Sequence, residues 1–254
     1  MKNKLRLAAI AAVFAATAAV GVPQAANATI YQDWWNNTDL SGMGLNVGQQ
    51  GRNIFVSWYM YDEFENPSFL LFFGRLDSSN KLTAPLNRYF GPEPPAYDEN
   101  LWSGEEVGTA TIHFTSPQTA TFSYNYDGQS GSFPVNRYTF SPINLSGFYA
   151  GGVAYTLSNC GASNGEYAET DLAMITHSGT DFVLETYYEG CRYEGTVSQA
   201  GTHFSGAGDV YCSNGNTGTW RSPDLNTGEF TFEFIYTMNL DNGCRVTGRA
   251  GGIK

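Results

Sequence analysis

The sequence predicts an all-β protein of two antiparallel β-barrel or β-sandwich domains following a cleaved signal peptide. Apolar and aromatic residues alternate with a period of two in several stretches, and Gly-, Asn- and Pro-bearing turn signals separate those stretches. All four cysteines lie after Ser146, which divides the chain into a cysteine-free half and a cysteine-bearing half.

The leader comes first. Lys2, Lys4 and Arg6 precede an Ala-rich apolar run from Leu7 to Val20, and Ala26-Asn27-Ala28 supplies small residues at a cleavage site. The run is too short for a comfortable membrane span, and no later stretch reaches the roughly 18 apolar residues that a membrane helix requires. The expectation is a signal peptide over residues 1–28 and a secreted or periplasmic protein without membrane insertion. Removing 28 of the 254 residues leaves 226, with 10 basic against 24 acidic side chains and a formal charge of −14. That sign excludes nucleic acid and anionic membrane surfaces, which both need a basic footprint.

Residues 29–143 form the predicted N-terminal domain. Ile54, Val56, Trp58 and Met60 alternate with Phe55, Ser57, Tyr59 and Tyr61, as a half-buried strand requires. Gln50-Gly51-Arg52-Asn53 before it and Glu65-Asn66-Pro67 after it read as turns. Ser68 to Leu76 is nearly all apolar and is expected to be a strand covered on both faces. Tyr89 to Trp102 carries three prolines and reads as a loop. Val107–Phe114, Thr119–Tyr126 and Gly131–Phe140 read as further strands, the last two joined by Asp127-Gly128, a strong hairpin signal.

Residues 144–254 form the predicted C-terminal domain. Phe182 to Gly195 and Phe232 to Gly248 are two similar units, each a β-rich strand followed by Gly-Cys-Arg-x-x-Gly. Each has an earlier cysteine, 31 or 32 residues upstream. In an oxidising compartment an even count implies disulfides, and the matched spacing predicts Cys160–Cys191 and Cys212–Cys244. Phe230, Phe232, Phe234 and Tyr236 share one face of a strand whose other face carries Glu229, Thr231 and Glu233.

The pattern Gly42-x-Gly44-x-Asn46-x-x-x-Gln50-Gly51-x-x-Ile54-Phe55-x-x-Trp58-x-x-Tyr61-Asp62, followed by Pro67, resembles a recurring unit of secreted bacterial β-rich proteins, mostly uncharacterised. Those proteins often carry Trp where Met43 stands and a later Trp where Phe69 stands. Ala120 to Gly128 and Arg137 to Phe140 resemble the tail of the same unit. The resemblance covers about the first half of the mature chain. It implies a β fold and export, and it carries no catalytic residue across.

Few residues point to chemistry. His113, His177 and His203 stand in a strand or near turns, with no Gly-x-Ser-x-Gly elbow, and read as surface or packing residues. Glu185 with Glu189 and Glu229 with Glu233 are candidate carboxylate pairs for a glycoside hydrolase. Glu229 and Glu233 share a strand face, where residues four apart lie roughly 13 Å from each other, too far to act together unless another strand supplies the second acid. The cysteines are too widely spaced for zinc, so neither metal nor other cofactor is expected. The acidic stretch 93–106 lacks the spacing of a calcium loop and leaves calcium binding open. Trp34, Trp35 and Trp102 are the candidate ligand-binding residues, because aromatics at a terminus or in a loop can stack on sugar rings. The leading functional expectation is an exported, non-enzymatic binding module for a glycan, a small ligand or a protein partner. A structural surface or matrix protein and a glycoside hydrolase are the alternatives.

Overall fold

The computed structural model describes residues 29–228 and 230–254. The expected signal peptide, residues 1–28, and Glu229 lie outside the described residues. The chain forms two closed eight-stranded antiparallel barrels, and among the described residues no helix is long and apolar enough to cross a membrane.

The first barrel comprises β1 (Asp33–Asn36), β2 (Gly44–Gln50), β3 (Asn53–Tyr61), β4 (Pro67–Arg75), β5 (Lys81–Phe90), β6 (Ser103–Phe114), β7 (Thr119–Tyr126) and β8 (Gln129–Arg137). Each strand pairs with the next, and β1 closes the ring on β8 through Trp35↔Arg137 and Asn36↔Asn136. The expected alternation in β3 holds, with Ile54, Val56 and Trp58 buried inside and Phe55, Tyr59 and Tyr61 exposed outside. At the β7–β8 hairpin Asp127 and Gly128 have φ of 48° and 76°, the left-handed pair that a tight type I′ turn needs.

Two expectations for this half are corrected. The stretch Ser68–Leu76 is not covered on both faces: Leu70 and Phe72 are buried, while Phe69 and Phe73 stand exposed on the outer wall. A single barrel has only one interior, so a continuous apolar run must leave its alternate side chains outside. The strand expected from Val107 begins earlier, at Ser103, so Glu105 and Glu106 belong to β6, while the proline-bearing loop lies between Phe90 and Ser103 as expected.

The second barrel comprises β9 (Gly147–Ser158), β10 (Gly165–Ser178), β11 (Asp181–Thr186), β12 (Cys191–Ala200), β13 (His203–Cys212), β14 (Thr217–Thr227), β15 (Thr231–Leu240) and β16 (Arg245–Ile253). It closes by pairing β16 with β9 from Arg245↔Ser158 to Ile253↔Ala150. Small residues line this seam, including Gly151, Gly152, Gly248, Gly251 and Gly252. A Cβ on Gly151 would run into the Gly251 carbonyl and the Gly252 Cα, so here the two strands meet backbone against backbone.

The disulfides are Cys160–Cys244 and Cys191–Cys212, with Cα separations of 4.5 and 4.0 Å. The pairing Cys160–Cys191 and Cys212–Cys244 inferred from spacing is therefore overturned. In an up-and-down barrel a cysteine meets its neighbour on the adjacent strand. Cys191 faces Cys212 across the β12–β13 ladder, and Cys160 and Cys244 flank the β9–β16 seam where it begins.

The barrels touch at one end of each. Arg137, buried, donates to Asp33 Oδ2 at 3.0 Å and to the Gln32 carbonyl at 3.2 Å. Its guanidinium also lies 4.9 Å from the centre of the Trp35 ring. Asp33 Oδ2 accepts a bond from the Thr202 backbone N–H of the second barrel at 3.2 Å. Gln118 Nε2 donates to the Pro223 carbonyl at 3.0 Å. Burial lowers the Arg137 pKa, and the adjacent Asp33 carboxylate opposes that shift.

Candidate functional site

The four cysteines mark the end of the second barrel remote from the first. At that end the wall is incomplete. β10 pairs with β9 from Gly165 to Ile175, but its pairing with β11 stops at Ala173↔Thr186. On the β11 side the turn Tyr187-Tyr188-Glu189-Gly190, instead of a strand, meets β10 at Asp171 and Leu172. Asp171 anchors that turn: its carboxylate accepts from the Tyr188 N–H at 2.9 Å and the Glu189 N–H at 3.4 Å. The Tyr187 N–H donates to the Leu172 carbonyl at 2.8 Å.

Behind this turn lies a cavity of about 50 Å³ lined by apolar side chains, among them Tyr149, Val153, Leu184, Phe232 and Phe234. Glu189, Asp171, Tyr193 and Tyr236 also line it. The period of two explains the apolar lining, since Phe232, Phe234 and Tyr236 occupy the inward positions of β15. The same rule turns Glu169 and Asp171 of β10 inward, opposite Val153 and Gly151 of β9.

Glu189 is half-buried, and no protein group hydrogen-bonds its carboxylate among the described residues. Burial raises its pKa above the ordinary glutamate value, and the charges of Asp171 and Glu169 add to the shift. Tyr236 is 6% exposed, and among the described residues neither its hydroxyl nor that of Tyr193 hydrogen-bonds to the protein. Burial raises both pKa values, and the charge of Glu189 adds the next largest contribution. Tyr155 donates to Glu169 Oε1 at 2.8 Å, which holds that carboxylate at the rim. Among the described residues none of Glu169, Asp171 and Glu189 has a basic partner within salt-bridge distance, although Glu185 and Glu194 on the outer wall both pair with Arg192. Glu185 and Glu189 therefore do not form a working pair. Among the described residues no group of His, Cys, Asp and Glu side chains converges closely enough to hold a metal ion.

The ionisation of Glu189 has a measurable consequence. A carboxyl whose folded pKa is raised holds its proton more tightly in the folded chain than in the unfolded one. Stability is therefore lost as pH rises through the raised value. Glu189→Gln, which mimics the protonated form, is expected to raise the melting temperature at neutral pH and to leave it unchanged below the ordinary glutamate range. Melts of both proteins across pH check this, and a gain that is the same at every pH would contradict it.

The sequence candidates fare differently. Trp35 is 1% exposed, part of the first barrel's core and unavailable to any ligand. Its neighbour Trp34 points the other way, 39% exposed, with Tyr59 stacked against one ring face at 5.5 Å. Trp102 is 58% exposed and stacks on Tyr89 at 5.5 Å. The two exposed tryptophans lie on the outer wall and the β5–β6 loop of the first barrel, and neither approaches the cavity.

His113 lies half-buried on β6, and His203 and His177 are packing groups of the second barrel. His203 Nδ1 meets Asp224 Oδ1 at 2.6 Å, both side chains buried, while its Nε2 is sealed from solvent without a partner. His177 Nδ1 accepts from the Leu145 N–H at 3.3 Å, and its Nε2 is equally sealed. No serine hydroxyl hydrogen-bonds to either Nε2, so neither histidine is poised to activate one. A second opening, about 430 Å³, lies between the barrels beside Gln32, Gln49, Asp224, Asn226 and Arg249. It is bounded by Thr29, where the described residues begin. No protein-family model, curated protein or solved structure matches this chain.

Proposed function

We propose that this chain is a binding module whose second barrel takes a small, slender ligand through its side mouth. The observation that carries the reading is the cavity itself: an aromatic and aliphatic interior meeting a few unsatisfied polar groups at its opening. That is the composition of a small-molecule site. The first barrel offers no comparable interior, because Trp58, Phe72 and Phe122 fill it. The two disulfides support an oxidising compartment as the place of action.

At about 50 Å³ the cavity is well below the 300–1,000 Å³ of drug-sized pockets. A chain of four or five heavy atoms suits it better than a ring system. Two four-carbon probes, 1-butanol and n-butylammonium, test the reading by NMR titration of the full chain. Saturable shifts are expected at Val153, Ala173 and Leu184, and Ala250→Leu, which fills the cavity from β16, is expected to abolish them. Absence of saturable shifts with both probes, or shifts that survive the filling substitution, would overturn it.

A further inference from the structure

We infer that the ligand carries a cationic nitrogen, an alkylammonium whose charge lies against Glu189 while its apolar chain enters the barrel. The inference rests on the binding reading above and specifies what is bound. Two features of the mouth point the same way. Glu189 is a half-buried carboxylate without a hydrogen-bond donor or a basic partner. Tyr236, more than nine-tenths buried, lines the same space, and its hydroxyl has no hydrogen-bond partner among the described residues. An N–H⁺ group can donate to both at once, which neither an apolar group nor an anion can do.

The surroundings favour a cation further. The titratable groups electrostatically linked to Glu189 are Asp171 and Glu169 from β10, Tyr155 from β9, Tyr193 from β12 and Tyr236 from β15. All are acidic or neutral. Tyr193, Tyr236 and Phe234 line the space, and the faces of aromatic rings attract positive charge. A metal ion is a poorer candidate, since the carboxylates do not converge on one point. Asp171 is already committed to the turn through the Tyr188 and Glu189 N–H groups. Glu169 is held by Tyr155, so Glu189 is left as the group that receives the charge.

Binding of a cation favours the ionised carboxyl, so at a pH where free Glu189 retains part of its proton the complex releases it. Affinity for an alkylammonium therefore falls as pH drops through the raised pKa of Glu189, whereas affinity for the neutral alcohol does not fall. The test compares n-butylammonium with 1-butanol by NMR titration, and measures proton release by calorimetry of the ammonium in buffers of different ionisation enthalpy. The ammonium is expected to bind roughly 10- to 100-fold more tightly than the alcohol, the range of a charge-assisted hydrogen bond. Glu189→Gln is expected to remove that advantage and the proton release while retaining the alcohol.

Equal affinity for the two probes would overturn the cationic assignment and leave the binding reading standing. If neither binds, both fall. Should Glu189→Gln prove unfolded, the pH dependence in the unaltered protein decides: ammonium affinity independent of pH would overturn the assignment.

Discussion

Removing the Cys160–Cys244 bond is expected to lower the stability of the second barrel by roughly 4.5 kcal/mol, and removing Cys191–Cys212 by roughly 3. The difference follows from the span of chain each bond closes, 84 residues against 21. In the chain-entropy account the longer loop gives up more freedom in the unfolded state. Structural context widens the gap. Cys191 and Cys212 join strands already linked by the short β12–β13 hairpin. Cys160 and Cys244 join the first and last strands of the ring, at a seam whose glycines supply no side chains to pack. Denaturant midpoints of the paired variants Cys160→Ala/Cys244→Ala and Cys191→Ala/Cys212→Ala measure both. Equal losses, or a larger one at Cys191–Cys212, would contradict the seam's dependence on its bond.

Trp58→Ala is expected to cost the first barrel about 3–5 kcal/mol, a large part of the 5–15 kcal/mol typical of a domain. Its ring meets Phe122 at 5.0 Å, Tyr124 at 4.7 Å and Tyr126 at 6.3 Å, linking β3 to β7 across the interior. Removing it leaves a cavity that three rigid rings cannot easily collapse into. The indole Nε1 is buried without an acceptor, which already costs stability. Trp58→Phe is therefore expected to lose much less, because it deletes that unsatisfied donor together with part of the ring. A thermal melt of the two variants suffices. A Trp58→Ala protein that melts with the wild type would show that the ring contributes nothing to the core.

These residues also show how far the sequence could be read. Alternation from Ile54 to Tyr61 is a local property, and it correctly assigned inward and outward side chains before any partner strand was known. Two steps exceeded local information. Cysteine spacing measures chain length, whereas a disulfide needs proximity, and proximity in a closed ring is set by which strands become neighbours. The adjacent Trp34 and Trp35 were read as equals, although period two must send one out and the other in. The mouth was hidden for a different reason. Glu189 belongs to a turn, which has no periodicity, and a single acid in an exposed-looking turn gives no sign of burial. Glu169 and Asp171 did leave a trace, since Tyr167, Glu169, Asp171, Ala173 and Ile175 alternate along β10. Acids on the face that carries Ile175 are the signal that could have identified a polar lumen.

Ring closure also sets an order of events as the chain emerges N-terminus first. The first barrel has every strand it needs once Arg137 is free, because β8 then meets β1. The second has none of its closing contacts until β16 has followed, since β9 waits for Arg245 to Ile253. A chain halted anywhere between would carry one finished barrel and one open sheet, with β9 and the newest strand offering free backbone edges to other chains. Chaperones that meet the chain after Arg137 has emerged therefore face an aggregation hazard in its second half, which lasts until the last strand arrives.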